Sequence, residues 1–144
     1  MRLRFILALL VLLLACALQF WFASVGVFIN FILAALIVFA FFFNIWELLV
    51  FILFSIFVVN WQPGVSLDII VFGIIPIAAL AFHKAFAWTL FTGIPVAIVC
   101  GFLALYLAVA PGAFLGNIIP FLTDVFGGLL FGGGVFFVFD RLAA

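Results

Sequence analysis

No side chain between Phe5 and Trp46 carries a charge, and none does between Lys84 and Asp124. An apolar run of about 20 residues reaches across a ~30 Å hydrocarbon core at ~1.5 Å of rise per residue, so uncharged stretches of this length direct the chain into a bilayer. The longest polar interruption is Asn60-Trp61-Gln62-Pro63-Gly64-Val65-Ser66-Leu67-Asp68, near the middle of the chain. Pro63-Gly64 is turn punctuation, because proline presets one backbone angle and glycine accepts the other. The stretch is expected to form an aqueous hairpin between two membrane-embedded halves.

Composition agrees. Of 144 residues, 74% are hydrophobic and 6% charged, against about 45–50% and about 25% in soluble domains, which excludes a water-soluble fold. Four basic and four acidic residues cancel, leaving no basic patch for nucleic acid and no polybasic lipid-binding run. Cys16 and Cys100 lie in apolar runs and read as small hydrophobes, not as a disulfide or metal pair. His83 has no neighbouring ligand set. No serine–histidine–acid set, paired catalytic carboxylates or thiolate–imidazole pair can be assembled, so the chain is expected not to be an enzyme and to hold no metal or cofactor.

The punctuation divides residues 1–144 into one polytopic domain of about six transmembrane helices, at 5–23, 27–43, 48–59, 69–82, 86–110 and 118–139. A charged start, an apolar core and Leu13-Leu14-Ala15-Cys16 loosely resemble a lipoprotein signal. The apolar run continues past Cys16 with no soluble domain behind it, so a retained first helix is the better reading. Residues 27 to 59 are too long for one crossing and are expected to break in a tight turn at Asn44–Glu47. Pro76 and Pro95 are expected bends, and Pro111-Gly112 closes the fifth segment. With both termini inside, Arg2, Arg4, Lys84 and Arg141 all fall on the cytoplasmic side, as the positive-inside rule asks. Trp21, Trp61 and Tyr106 then fall near outer ends, and Trp46 and Trp88 near inner ones.

Few residues can carry chemistry. If the sixth helix starts at Ile118, Asp124 sits about 9 Å along it, where an ionisable group costs about 2.5–3.5 kcal/mol and is a functional candidate by default. The economical reading makes Pro111 to Thr123 an outer loop or re-entrant stretch and Asp124 the N-cap of a helix from Val125. Pairing with a polar residue on another helix is the remaining alternative. Gly128 and Gly132 form a small-xxx-small pair, a contact face either internal or intermolecular. Asp68 reads as a solvated charge at a helix N-terminus with Ser66 as cap, and Glu47 as a solvated turn carboxylate. Gln19 and Asn30 are expected to hydrogen-bond neighbouring helices.

The layout resembles the MreD-like family of bacterial rod shape-determining membrane proteins. The features that carry the resemblance are the short basic start with Gln19 ending the first segment, the apolar stretch Asn30 to Phe43, and Asn44-Ile45-Trp46-Glu47. They continue with the polar hairpin followed by Leu67-Asp68-Ile69-Ile70-Val71-Phe72-Gly73-Ile74-Ile75-Pro76, and the C-terminal Asp140-Arg141-Leu142. Asn60 stands where family members carry an acidic residue. The resemblance implies a scaffold of the cell-elongation machinery in the bacterial cytoplasmic (inner) membrane. Its partners would be the lipid bilayer and other membrane proteins: a bitopic elongation scaffold, the actin-like filament and the peptidoglycan synthases. The family's fold is similar to the substrate-binding subunits of energy-coupling factor transporters. That likeness supplies an alternative, a membrane subunit that captures a small molecule.

Overall fold

The computed structural model describes residues 2–59 and 66–143, whose regular elements are all helices, with no strand among them. Helices run in the order α1 (Arg2–Ser24), α2 (Phe31–Phe42), α3 (Ile45–Val59), α4 (Leu67–Ala85), α5 (Leu90–Val109), α6 (Pro111–Gly116) and α7 (Ile119–Ala143). Four of them, α1, α4, α5 and α7, are long and apolar enough to cross a membrane, and α2 and α3 are shorter apolar helices. The chain is an all-α membrane protein. The stretch at 60–65, including Asn60, Trp61 and the Pro63-Gly64 turn, lies outside the described residues.

The architecture is organised around α2. Eleven of its residues, Phe31 to Phe41, are buried, and α1, α3, α4, α5 and α7 all pack against it. A helix that is apolar on every side has no face to give to water, and of the two apolar surroundings a membrane offers, lipid or protein, α2 takes the protein interior. Here the surrounding helices shield it, and their outward residues such as Leu10, Leu53, Phe57, Ile74 and Phe137 remain exposed on the perimeter, where lipid meets apolar side chains without cost.

Local chemistry sets the ends of the elements. After α1, Gly26 adopts φ +81. Val27 N–H donates to the Phe22 carbonyl at 3.0 Å and Gly26 N–H to that of Ala23 at 3.1 Å. Those two bonds form a Schellman cap, which requires the left-handed residue that glycine tolerates. At the start of α3, Asn44 Oδ1 accepts from Glu47 N–H at 3.0 Å while Glu47 Oε2 accepts from Asn44 N–H at 3.2 Å. Asn44 and Glu47 are thus a reciprocal capping box, set at the exposed turn between α2 and α3. Asn44→Ala removes one of the two bonds, and a loss of about 0.5–2 kcal/mol is expected, read as a lower thermal unfolding midpoint in detergent micelles.

Several expected boundaries shift. The segment placed over 27–43 begins only at Phe31, because Val27 to Ile29 are apolar but form the connection from the Schellman turn to the cap Asn30. The third segment begins at Ile45 instead of 48. The fifth begins at Leu90, because the residues from Phe86 to Thr89 leave the helix in extended conformation at both Phe86 and Thr89. Pro111 does not merely close α5: it opens the short helix α6, where its missing N–H and fixed φ suit the first helical position. Ser66 occupies the cap position of α4, but its side chain makes no capping bond.

The two ends of the bundle differ. Arg4 Nη2 donates to the Leu142 carbonyl at 2.8 Å, joining the start of α1 to the end of α7. Next to that junction, Phe39 of α2 packs on Phe43, Phe51 and Phe139 with ring centroids 5.2–5.5 Å apart, within the ~4.5–7 Å range for favourable aromatic pairs. His83, near the end of α4, packs its ring on Phe41 at 4.7 Å. Arg2, Arg4, Lys84 and Arg141 all belong to this end. The opposite end, where α2 begins, carries Asp68 and Asp124 and no basic residue among the described ones.

Candidate functional site

The first turn of any helix leaves backbone N–H groups without partners inside the helix. For a helix that starts within an apolar bundle these groups are costly to leave unpaired. The start of α2 meets the problem with side chains from three helices. Asn30 is its N-cap and Oδ1 accepts from Leu33 N–H at 3.0 Å. Gln19, from α1, accepts from Ile32 N–H through Oε1 at 3.3 Å. Asp124, from α7, accepts from Asn30 N–H through Oδ1 at 2.6 Å. The other carboxyl oxygen of Asp124, Oδ2, accepts from the Tyr106 hydroxyl of α5 at 3.1 Å.

The bond from Asn30 completes a capping box of unusual origin. Within one helix the N-cap N–H is met by an acidic or amide side chain three residues on. In α2 that position is Leu33, and the acceptor comes from another helix 94 residues away in sequence. Asp124 is only 5% exposed and ties α7, α2 and α5 together.

This geometry overturns the economical reading of Asp124. α7 is already helical from Ile119, so Asp124 is not the cap of a helix beginning at Val125. It caps α2 instead, the interhelical pairing that stood as an alternative. The residues from Pro111 to Thr123 are accordingly not a loop: they make α6, a short link, and the first turn of α7, where Asn117 Oδ1 accepts from Ile119 N–H at 3.1 Å.

Gly128 and Gly132 face the interior. A Cβ on Gly128 would lie 2.9 Å from the Phe102 ring, and one on Gly132 would lie 2.6 Å from Ile98 Cδ1 and 3.4 Å from Val38. The pair is therefore filled from inside the molecule by α5 and α2, while Gly133 and Gly134 have open space beside them. Asp68 is exposed in the first turn of α4, a favourable place for a negative charge at a helix N-terminus.

Asp68 and the α2 cap share one cavity. It has a volume of about 350 Å³ and is lined on its polar side by Gln19, Asn30, Asp68, Tyr106 and Asp124, and on its apolar side by residues that include Val59, Phe72 and Leu105. A neighbouring cavity of about 270 Å³ reaches Gln19, Asn30 and Asp124 from the side of Phe20 and Phe28. A third, of about 260 Å³ between α4 and α5, is lined by apolar groups and Cys100 and contains none of these polar residues.

Gln19, Asn30 and Tyr106 were visible in the sequence only as scattered polar or interfacial residues. The signal that joins them is positional: each lies near a helix end, and all of those ends meet where α2 starts. The group can accept and donate hydrogen bonds and attract a cation; among the described residues no cluster of three or more His, Cys, Asp or Glu side chains could hold a metal ion. No family model, curated protein or solved structure matches the chain.

Proposed function

We propose that the protein is a membrane scaffold that acts by helix-face contact and not by turnover, as the rod shape-determining resemblance implies. The observation that carries this reading is the buried α2, which fills the middle of the bundle and packs against five other helices. A body with a solid helical centre offers its perimeter to other proteins and to lipid. The same reading places the chain in the bacterial cytoplasmic membrane with six crossings, the two short helices completing theirs inside the shield of the four long ones. Both termini are then cytoplasmic. The grouping of Arg2, Arg4, Lys84 and Arg141 at one end supports that orientation.

The interior contacts of Gly128 and Gly132 leave them no role in partner binding, so the scaffold's docking surface is the lipid-facing perimeter. The cavity beside Asp68 favours a second reading, a membrane subunit that captures a small molecule from the outer side. One experiment separates the two: the tagged protein is recovered from native membranes in mild detergent and its partners are identified by mass spectrometry. Co-purification of peptidoglycan synthases and the filament scaffold is the expected result. Recovery of transport ATPases with a coupling membrane subunit would replace this reading with the second, and recovery of neither set would remove both.

A further inference from the structure

We propose that the cavity beside the start of α2 binds a small organic cation, an ammonium group carried on an apolar body. This goes beyond the scaffold reading and does not depend on it. The volume, about 350 Å³, lies within the range of cavities that hold small ligands, roughly 300–1,000 Å³.

The walls select the charge. Asp68 stands exposed on the cavity lining, and the side chain of Asp124 lies deeper, 5% exposed. Each oxygen of Asp124 accepts one bond, from Asn30 N–H or from Tyr106, and each retains a further lone pair. The Tyr106 hydroxyl donates its proton to Asp124, so towards a ligand its oxygen is an acceptor. The basic side chains of the described chain all lie at the opposite end of the bundle, and none competes for these oxygens. An anion entering here would meet two carboxyl groups and no cation.

The walls also select the body. Phe72 and Tyr106 present aromatic rings, whose faces attract an ammonium group, and Val59 and Leu105 supply apolar surface. Gln19 and Asn30 use their side-chain oxygens on α2, which leaves their amide NH₂ groups to donate to a polar substituent. An ammonium held between carboxyl oxygens and aromatic rings, with an apolar body behind it, satisfies the acceptors and the apolar wall together.

The test uses the full chain in detergent micelles and 2-phenylethylammonium as probe, with 3-phenylpropionate and benzyl alcohol as anionic and neutral comparators, read by isothermal titration calorimetry. Saturable binding is expected for the cation, at least about tenfold tighter than for either comparator. Asp68→Asn, an exposed substitution that leaves the α2 cap intact, is expected to weaken the cation by about tenfold. Val109→Trp, which fills the cavity from its exposed lip, is expected to abolish saturable binding and so serves as the blank for partition into micelles. Equal heats for all three probes, or cation binding unchanged in both variants, would overturn the proposal. Either result leaves the recovery of membrane partners as an independent test of the scaffold reading.

Discussion

Gly132→Leu is expected to unfold the bundle at a markedly lower temperature than the parent chain, with a loss at or above the ~1–3 kcal/mol typical of overpacking. Gly132 is buried where α7 crosses α5 and α2. Even a single added carbon would stand 2.6 Å from Ile98 Cδ1 and 3.4 Å from Val38 Cγ2. The terminal methyl of Ile98 can rotate away from an alanine, so Gly132→Ala should cost much less. A leucine adds three more carbons, more than a rotation of Ile98, 1% exposed, can make room for in an interior packed close to crystal density. The helices must then separate, and separation here also draws α7 away from α2. Gly133→Leu is the control. Its added carbon meets nothing within 4 Å, and a near-parental unfolding midpoint is expected. The comparison is made by thermal unfolding of purified protein in the same detergent. If Gly132→Leu melted with Gly133→Leu, the close contact of α7 with α5 would not be a stabilising one.

The membrane class was legible because it rests on local signals, whereas the expected six segments became four long helices, two shorter apolar ones and the short α6. Uncharged runs mark the helices, and Gly26, Pro111 and the Asn44…Glu47 spacing mark their ends, although the last was read as a turn and is a capping box. The burial of α2 was not legible, and the reason is physical. In water an apolar helix must be covered, whereas in a bilayer an apolar helix can face lipid or protein at similar cost. The sequence of α2 therefore looks the same whether it lies at the rim or at the centre. The polar site was hidden for a related reason. Asp124 and Asn30 are 94 residues apart and Tyr106 and Asp124 are 18 apart. Their meeting depends on which helices neighbour α2, which hydropathy does not encode. The assumption that a polar residue near the start of a helix caps that helix then assigned Asp124 to the wrong N-terminus.

Asp124→Leu is expected to be the most damaging substitution at the polar end. It removes both acceptors at once, leaving Asn30 N–H unpaired and the Tyr106 hydroxyl with only the Pro120 carbonyl, at 3.4 Å. A buried donor left unpaired costs about 1–3 kcal/mol. With one such donor stranded and the Tyr106 bond weakened, the expected loss is about 1–3 kcal/mol, a sizeable share of the ~5–15 kcal/mol by which domains are typically stable. Asp124→Asn nearly preserves the shape. Its amide oxygen can still accept from Asn30 N–H, and its NH₂ group can donate to the Tyr106 oxygen, so most of the stability should return. Tyr106→Phe removes a single bond and should cost about 0.5–1.5 kcal/mol. The double variant Asp124→Leu/Tyr106→Phe should lose less than the sum of the singles, because the bond between the two side chains is lost only once. Hydrogen exchange supplies a readout that mere loss of packing would not localise: the amides of Asn30 to Leu33 should lose protection first in Asp124→Leu, ahead of those in the middle of α2. Uniform loss of protection along α2 would instead mean that the carboxyl group acts on packing alone. Parental stability in Asp124→Leu would show that α2 can meet its first-turn donors without α7, and the capping role of Asp124 would have to be abandoned.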